Sequence, residues 1–141
     1  MSYPQPNYGA PPAGPTGKSS IGLDGNVASA IGYPIGILAL VLAIIEKENR
    51  FVRFHAIQSL LYAVVATVLL VVLGILSTIV SIVAVSISET LGGLVGLVVW
   101  LLYFGVILAY FGGLILAAIK AYQGQWFKLP VVGNFAEKFA R

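Results

Sequence analysis

The stretch EKENRFVRFHAIQSLLY, Glu46 to Tyr62, separates two apolar runs and decides how the chain is read. Gly25 to Ile45 before it contains no Asp, Glu, Lys or Arg, and Ala56 to Ile119 after it holds a single charge, Glu89. A charged passage that runs straight into a long apolar one reads as a loop at a membrane surface leading into a buried helix. The passage also carries the only His of the chain and its densest cluster of hydrogen-bonding side chains.

Composition agrees with that reading. Of 141 residues, 59% are hydrophobic and only 9% charged, and the mean hydropathy is +0.97. A soluble domain carries about 25% charged residues; so few charges cannot cover this much apolar surface in water. Lipid can be the solvent for it, because a helix satisfies its own backbone. The expected fold is all-α, an integral membrane protein with three transmembrane helices and a short C-terminal interfacial helix. The net charge of +3 comes without a basic face interleaved with aromatics, which argues against nucleic acid as a partner. The chain has no Cys, so disulfides and thiolate metal sites are excluded.

Three regions follow. Residues 1–24, rich in Pro, Gly and Tyr, are expected to form a disordered tail. Residues 25–122 form the membrane domain, with spans at about 26–45, 51–87 and 91–122, and 123–141 an interfacial tail on the cytoplasmic side. In the first span Asn26 suits an N-cap and Pro34 a kink. Ala28, Gly32 and Gly36 recur every four residues, as do Gly105, Ala109, Gly113 and Ala117. Such small-residue stripes let helix backbones approach closely, which makes the first and third spans the expected closest pair. The second span exceeds the roughly 20 residues that cross a hydrocarbon core of about 30 Å; whether it is one helix or broken stays open. SISET, Ser86 to Thr90, marks its end. Beyond the last span Tyr122, Trp126 and Lys128 suit interface anchors. Asn134 with Glu137 resembles a capping box, and Phe135 and Phe139 share one face of the short helix it would start.

Basic residues orient the chain. Three lie in the first loop (Lys47, Arg50, Arg53), none in the second, and four from Lys120 onward. With three spans the positive-inside rule puts the first loop and the C-terminus in the cytoplasm and the N-terminus outside the cell membrane.

On the second helix His55, Gln58, Ser59 and Tyr62 occupy positions i, i+3, i+4 and i+7, one polar stripe with Arg53 just below it. Polar groups at that depth face protein or water. The stripe is either a substrate, ion or proton site at the mouth of the bundle, or hydrogen bonding between helices with snorkelling at a helix end. The second explanation weighs more. A lone His without a second His, Cys or carboxylate at ligand spacing is no metal site. No nucleophile, base and oxyanion donors come together. Neither a cofactor nor an enzyme activity is expected.

FVRFHAIQSLLY (Phe51 to Tyr62) and AAIKAYQGQWFKLPVVG (Ala117 to Gly133) carry a resemblance. The chain resembles the small prokaryotic membrane proteins of unknown function grouped with the twenty-kilodalton import component of the chloroplast inner envelope. The matching positions are Val52, Arg53, His55, Gln58, Ser59 and Leu60, then Ala121, Gly124, Phe127 and Pro130. Asn49 and Arg50 stand where many members have Pro, and the fourth span of the chloroplast relatives has no counterpart here. The resemblance implies a multi-pass membrane protein and brings no activity.

The leading expectation is a non-enzymatic protein acting through contacts with the lipid bilayer, another membrane protein or a second copy of itself. The alternative is an oligomeric channel, transport or protein-translocation component with His55, Gln58 and Tyr62 lining a polar entrance. The direction in which those three side chains point discriminates between the two.

Overall fold

A computed structural model of the protein describes residue 15 and residues 17–141. The long apolar run after the charged passage forms α3, Arg50–Ile87, a single unbroken helix of 38 residues. Ser88 turns the chain with an extended backbone, and its hydroxyl accepts a hydrogen bond from the Leu91 amide at 3.0 Å, capping the next helix. That helix, α4, is Glu89–Tyr122. The turn is tight because Gly92 lies directly against Val85; a Cβ there would collide with it. Among the described residues these are the two helices long and apolar enough to cross a membrane. Their outward faces are almost wholly apolar and uncovered, from Val64 to Ile87 on α3 and from Leu94 to Ile119 on α4.

Two tyrosine rungs join them. The Tyr62 hydroxyl of α3 donates to the Ala109 carbonyl, its ring lying on Gly113. The Tyr103 hydroxyl of α4 donates to the Leu70 carbonyl and sits 3.1 Å from where a Cβ on Gly74 would be.

The expected first span does not form. Residues 26–45 break at Tyr33-Pro34-Ile35 into α1, Gly25–Gly32, and α2, Gly36–Ile45. The halves fold back on each other: Ala28 and Leu42 share one buried cluster with Val52 and Ala56 of α3. In a straight helix Ala28 and Leu42 would stand about 21 Å apart. Pro34 has no N–H to continue the helix, and the Gly32 carbonyl released at the break accepts from the Ser59 hydroxyl at 3.3 Å. With 8 and 10 residues, each half covers about 12–15 Å, half a hydrocarbon core at most.

A hairpin returns the chain to the end where it began. The Ser20 amide donates to Glu46 Oε2 at 2.6 Å, Asn49 Nδ2 donates to the Gly17 carbonyl at 3.2 Å, and Asn26 Nδ2 donates to the Tyr122 carbonyl at 3.0 Å. Residues 17–26, the first loop and the end of α4 therefore share one end of the α3–α4 pair. This corrects the expectation that the N-terminal segment and the first loop lie on opposite faces. It also shortens the expected tail: 17–24 form a bonded loop with Ser19 N–H to Leu23 O at 2.8 Å and Gly22 at φ 82°. Residues 1–14 and 16 of the expected tail lie outside the described residues.

After α4 the chain runs extended along α3 and ends in α5, Val132–Phe139. The capping-box expectation fails here. Val131 is the N-cap residue, in the left-handed region at φ 68° that β-branched residues avoid. Asn134 therefore falls within the first turn, and Glu137 pairs with Lys128 Nζ at 2.8 Å instead.

Candidate functional site

The start of α3 is where every other element converges. Leu42, Val52 and Ala56 pack α2 against it, Tyr33 and Leu129 lie beside Ala117 and Ala121 of α4, and Phe54 holds Ala136 and Ala140 at α5. At the centre stand His55 and Gln58, both fully buried.

Their hydrogen bonds form one directed chain. Gln58 Nε2 donates to the Tyr33 hydroxyl oxygen at 2.7 Å and to the Phe127 carbonyl at 3.0 Å, while its Oε1 accepts from the Leu129 amide at 3.0 Å. His55 Nε2 is 3.1 Å from the Gln125 carbonyl. A carbonyl only accepts, so Nε2 carries the proton and Nδ1 is left to accept from the Tyr33 hydroxyl at 2.9 Å. Each polar atom of the Tyr33–His55–Gln58 set is thus engaged, as burial demands. The rings pack as well: Phe51 and Phe54 meet the His55 ring edge to face at 4.5 and 4.9 Å.

Of the stripe read from spacing, His55 and Gln58 point inward at the chain's own hairpin and tail. Ser59 fastens the hairpin break and Tyr62 fastens α4. Arg53 does not join them; it is half-buried, and its Nε is buried without a partner. Tyr33 was missing from the expected set. Its signal was a phenol beside a proline in an otherwise apolar run, a group that must find an acceptor when buried. The backbone of 125–129 was also missing, because carbonyls and amides leave no trace in composition.

Of the small-residue stripes, Ala28 and Ala117 are fully buried, and a Cβ added to Gly32 would stand 3.9 Å from Ala39. Gly113 and Ala109 receive Tyr62, whereas Gly36 and Gly105 face open space. The main helix pair is α3 with α4, since Tyr62 and Tyr103 tie those two; the first apolar stretch touches α4 only near its end. Among the expected anchors, Tyr122 is exposed, Lys128 pairs with Glu137, and Trp126 lies against Phe51 and Phe54 with the Arg50 guanidinium 5.9 Å above its ring. The Lys128 ammonium beside Glu137, with Arg141 and Arg50 farther off, holds its carboxyl below the ordinary carboxylate value.

One groove opens beside this knot. About 500 Å³ lies between the hairpin break and the α3–α4 pair, lined by Tyr33, Pro34, Ser59, Tyr110, Phe111 and further aliphatic side chains. The Tyr33 and Ser59 hydroxyls are already spent on protein partners. Among the described residues, no group of three or more His, Cys, Asp or Glu could hold a metal ion.

Residues 21–136, from the loop before α1 into α5, match the model of the magnetosome magnetite crystal formation protein family. The chain belongs to that family. The matched region contains the hairpin, both long helices and the knot. A UPF0132 membrane protein of Methanocaldococcus jannaschii is 36% identical over 126 residues, 89% of this chain and 96% of the relative. A UPF0132 membrane protein of Archaeoglobus fulgidus is 35% identical over 114 residues, 80% of this chain and 92% of that protein. A second Methanocaldococcus jannaschii protein of the same description is 29% identical over 123 residues, covering 86% and 74%. No solved structure matches the chain. The chain is thus similar to archaeal membrane proteins whose names carry no activity.

Proposed function

We propose that the protein is a non-enzymatic component of the cell membrane that acts through protein and lipid contacts at its basic end. The observation that supports this most is the closure of the polar knot. His55, Gln58 and Tyr33 spend their hydrogen bonds on the chain's own hairpin and tail, so they build a platform rather than a reaction centre or a wet entrance. All eight Lys and Arg residues fall on the platform side, and the turn between α3 and α4 offers only Glu89. The positive-inside rule then places the platform in the cytoplasm with α3 and α4 as the two crossings.

The family's name ties it to magnetite crystal formation. What we carry to this chain is a membrane-organising part in such a process, without direct iron binding. Its carboxylates are occupied or scattered: Asp24 pairs with Lys18 at 2.7 Å, Glu137 with Lys128, and Glu46 accepts from the Ser20 and Asn49 amides. Crosslinking in native membranes should capture a stable partner or a homo-oligomer; recovery of monomers alone contradicts the proposal.

The channel or translocation reading, which the import-component resemblance would imply, draws support only from the groove beside Ser59 and Tyr110. The lining of that groove is chiefly apolar. Flux in proteoliposomes that is lost in His55→Ala with Gln58→Ala would favour this second reading over ours.

A further inference from the structure

Only two ion pairs form among the described residues, Lys18–Asp24 and Lys128–Glu137. Cations therefore stand in surplus at the platform, and part of that surplus is gathered in one place. Arg50 and Arg53 lie one turn apart on the same face of α3. Helix α5 packs beside them through Ala136 and Ala140 on Phe54, which brings Arg141 to the same rim. Glu137 is the carboxylate set among them, and it is already bonded to Lys128; both Arg50 and Arg141 are near enough to depress its ionisation. One engaged carboxylate cannot neutralise this group.

Arg53 gives the surplus a direction. Its Nε is buried without a protein acceptor, but the side chain as a whole is only half-buried and neither ion pair involves it, so its charge is left for an anion at the surface to answer. Next to the arginines, α5 turns Val132, Gly133 and Ala136 inward and leaves Val131, Phe135 and Phe139 exposed at 73%, 57% and 59%. An exposed aromatic ridge beside unpaired cations, where two membrane helices end, suits a surface with phosphate above hydrocarbon.

We propose that Arg50, Arg53 and Arg141 bind the phosphate of an anionic phospholipid while Phe135 and Phe139 enter its acyl region. The occupant follows from charge complementarity joined to the apolar ridge: an acidic peptide would answer the arginines and leave the phenylalanines in water. The proposal rests on the reading that the platform meets the membrane surface, and it adds a preference for one lipid class.

The test uses Trp126, which sits under Arg50 at the rim. In the full chain carrying Trp100→Phe, Trp126 is the one tryptophan left. The protein is reconstituted with phosphatidylglycerol or phosphatidylcholine bearing brominated acyl chains, and quenching gives the relative association of each lipid. Phosphatidylglycerol should be preferred by at least about fivefold, the worth of one juxtamembrane cation. Arg53→Gln with Arg141→Gln, neither of which stacks on Trp126, should lower that ratio several-fold, leaving at most the share of Arg50, while Lys120→Gln on α4 should leave it intact. An unchanged melting temperature shows that the double variant still folds. Equal quenching by both lipids in the parent overturns the proposal and leaves the membrane placement standing. Quenching by neither removes both. Loss of the preference on adding inorganic phosphate, but not chloride at the same ionic strength, overturns the lipid assignment in favour of a free phosphate.

Discussion

The platform, residues 17–61 with 117–141, and the shaft, residues 62–116, are built from similar side chains by different rules. In the platform, short elements surround the start of α3, and buried polar groups are bonded to backbone from distant parts of the chain, as Gln58 is to Phe127 and Leu129. The shaft is two bare helices joined by one buried glycine turn and two tyrosine rungs, with Ile, Leu and Val facing outward along its length. Hydrophobic collapse cannot hold helices together in lipid, because lipid tails are as apolar as the side chains. The comparison teaches that specific structure in this protein is concentrated in the platform, while the shaft needs only length, apolarity and close backbone approach.

That contrast can be broken by mutation. Gln58→Leu keeps the volume and removes three hydrogen bonds, leaving the Phe127 carbonyl and the Leu129 amide unpartnered inside. At about 1–3 kcal/mol for each buried orphan, a loss of roughly 3 kcal/mol is expected, read as a lower melting temperature in detergent and faster proteolysis after Lys120. A near-neutral result would deny the platform its special place.

Gly133→Ala should come next. Its Cβ would stand 2.8 Å from Lys128 Cα and 3.0 Å from Gln58 Oε1, and overpacking of that kind costs about 1–3 kcal/mol. The tail should be released first, seen as greater accessibility of Trp126 to an aqueous quencher. Tyr62→Phe, in the shaft, removes one interhelical hydrogen bond worth roughly 0.6 kcal/mol in a membrane, and its melting temperature should move the least of the three.

The smallest effect is electrostatic. The Glu137 carboxyl is held below its ordinary value of 4.5 by Lys128. A depressed carboxylate contributes stability that is complete above the unfolded value and is lost as pH falls through the lowered folded one. Tail proteolysis by an acid-active protease should therefore rise only at pH below the ordinary carboxylate range. Glu137→Gln should flatten that rise, and salt should weaken it.

The shaft was legible in the sequence because span length, the SISET turn and lack of charge are local signals. The polar stripe on α3 was legible from its spacing for the same reason. The first apolar stretch was not. A proline in a run of twenty apolar residues reads as a kink, and only distant groups decide that it becomes a reversal: Ser59 for the freed Gly32 carbonyl, His55 and Gln58 for the Tyr33 hydroxyl. The charge rule was applied with three crossings, whereas the structure sets residues 17–20 beside the first loop. Under the two crossings we propose, the same rule gathers all eight basic residues on one side.

Cysteine labelling measures that reversal most directly, because the chain has no Cys of its own. Single cysteines at Ser20, Lys47, Ser88 and Lys138 are probed with a membrane-impermeant maleimide in right-side-out and inverted vesicles. Positions 20, 47 and 138 should label together from one side and 88 from the other. Position 20 labelling together with 88 would mean that residues 26–45 cross the bilayer after all, and would contradict the folded-back hairpin.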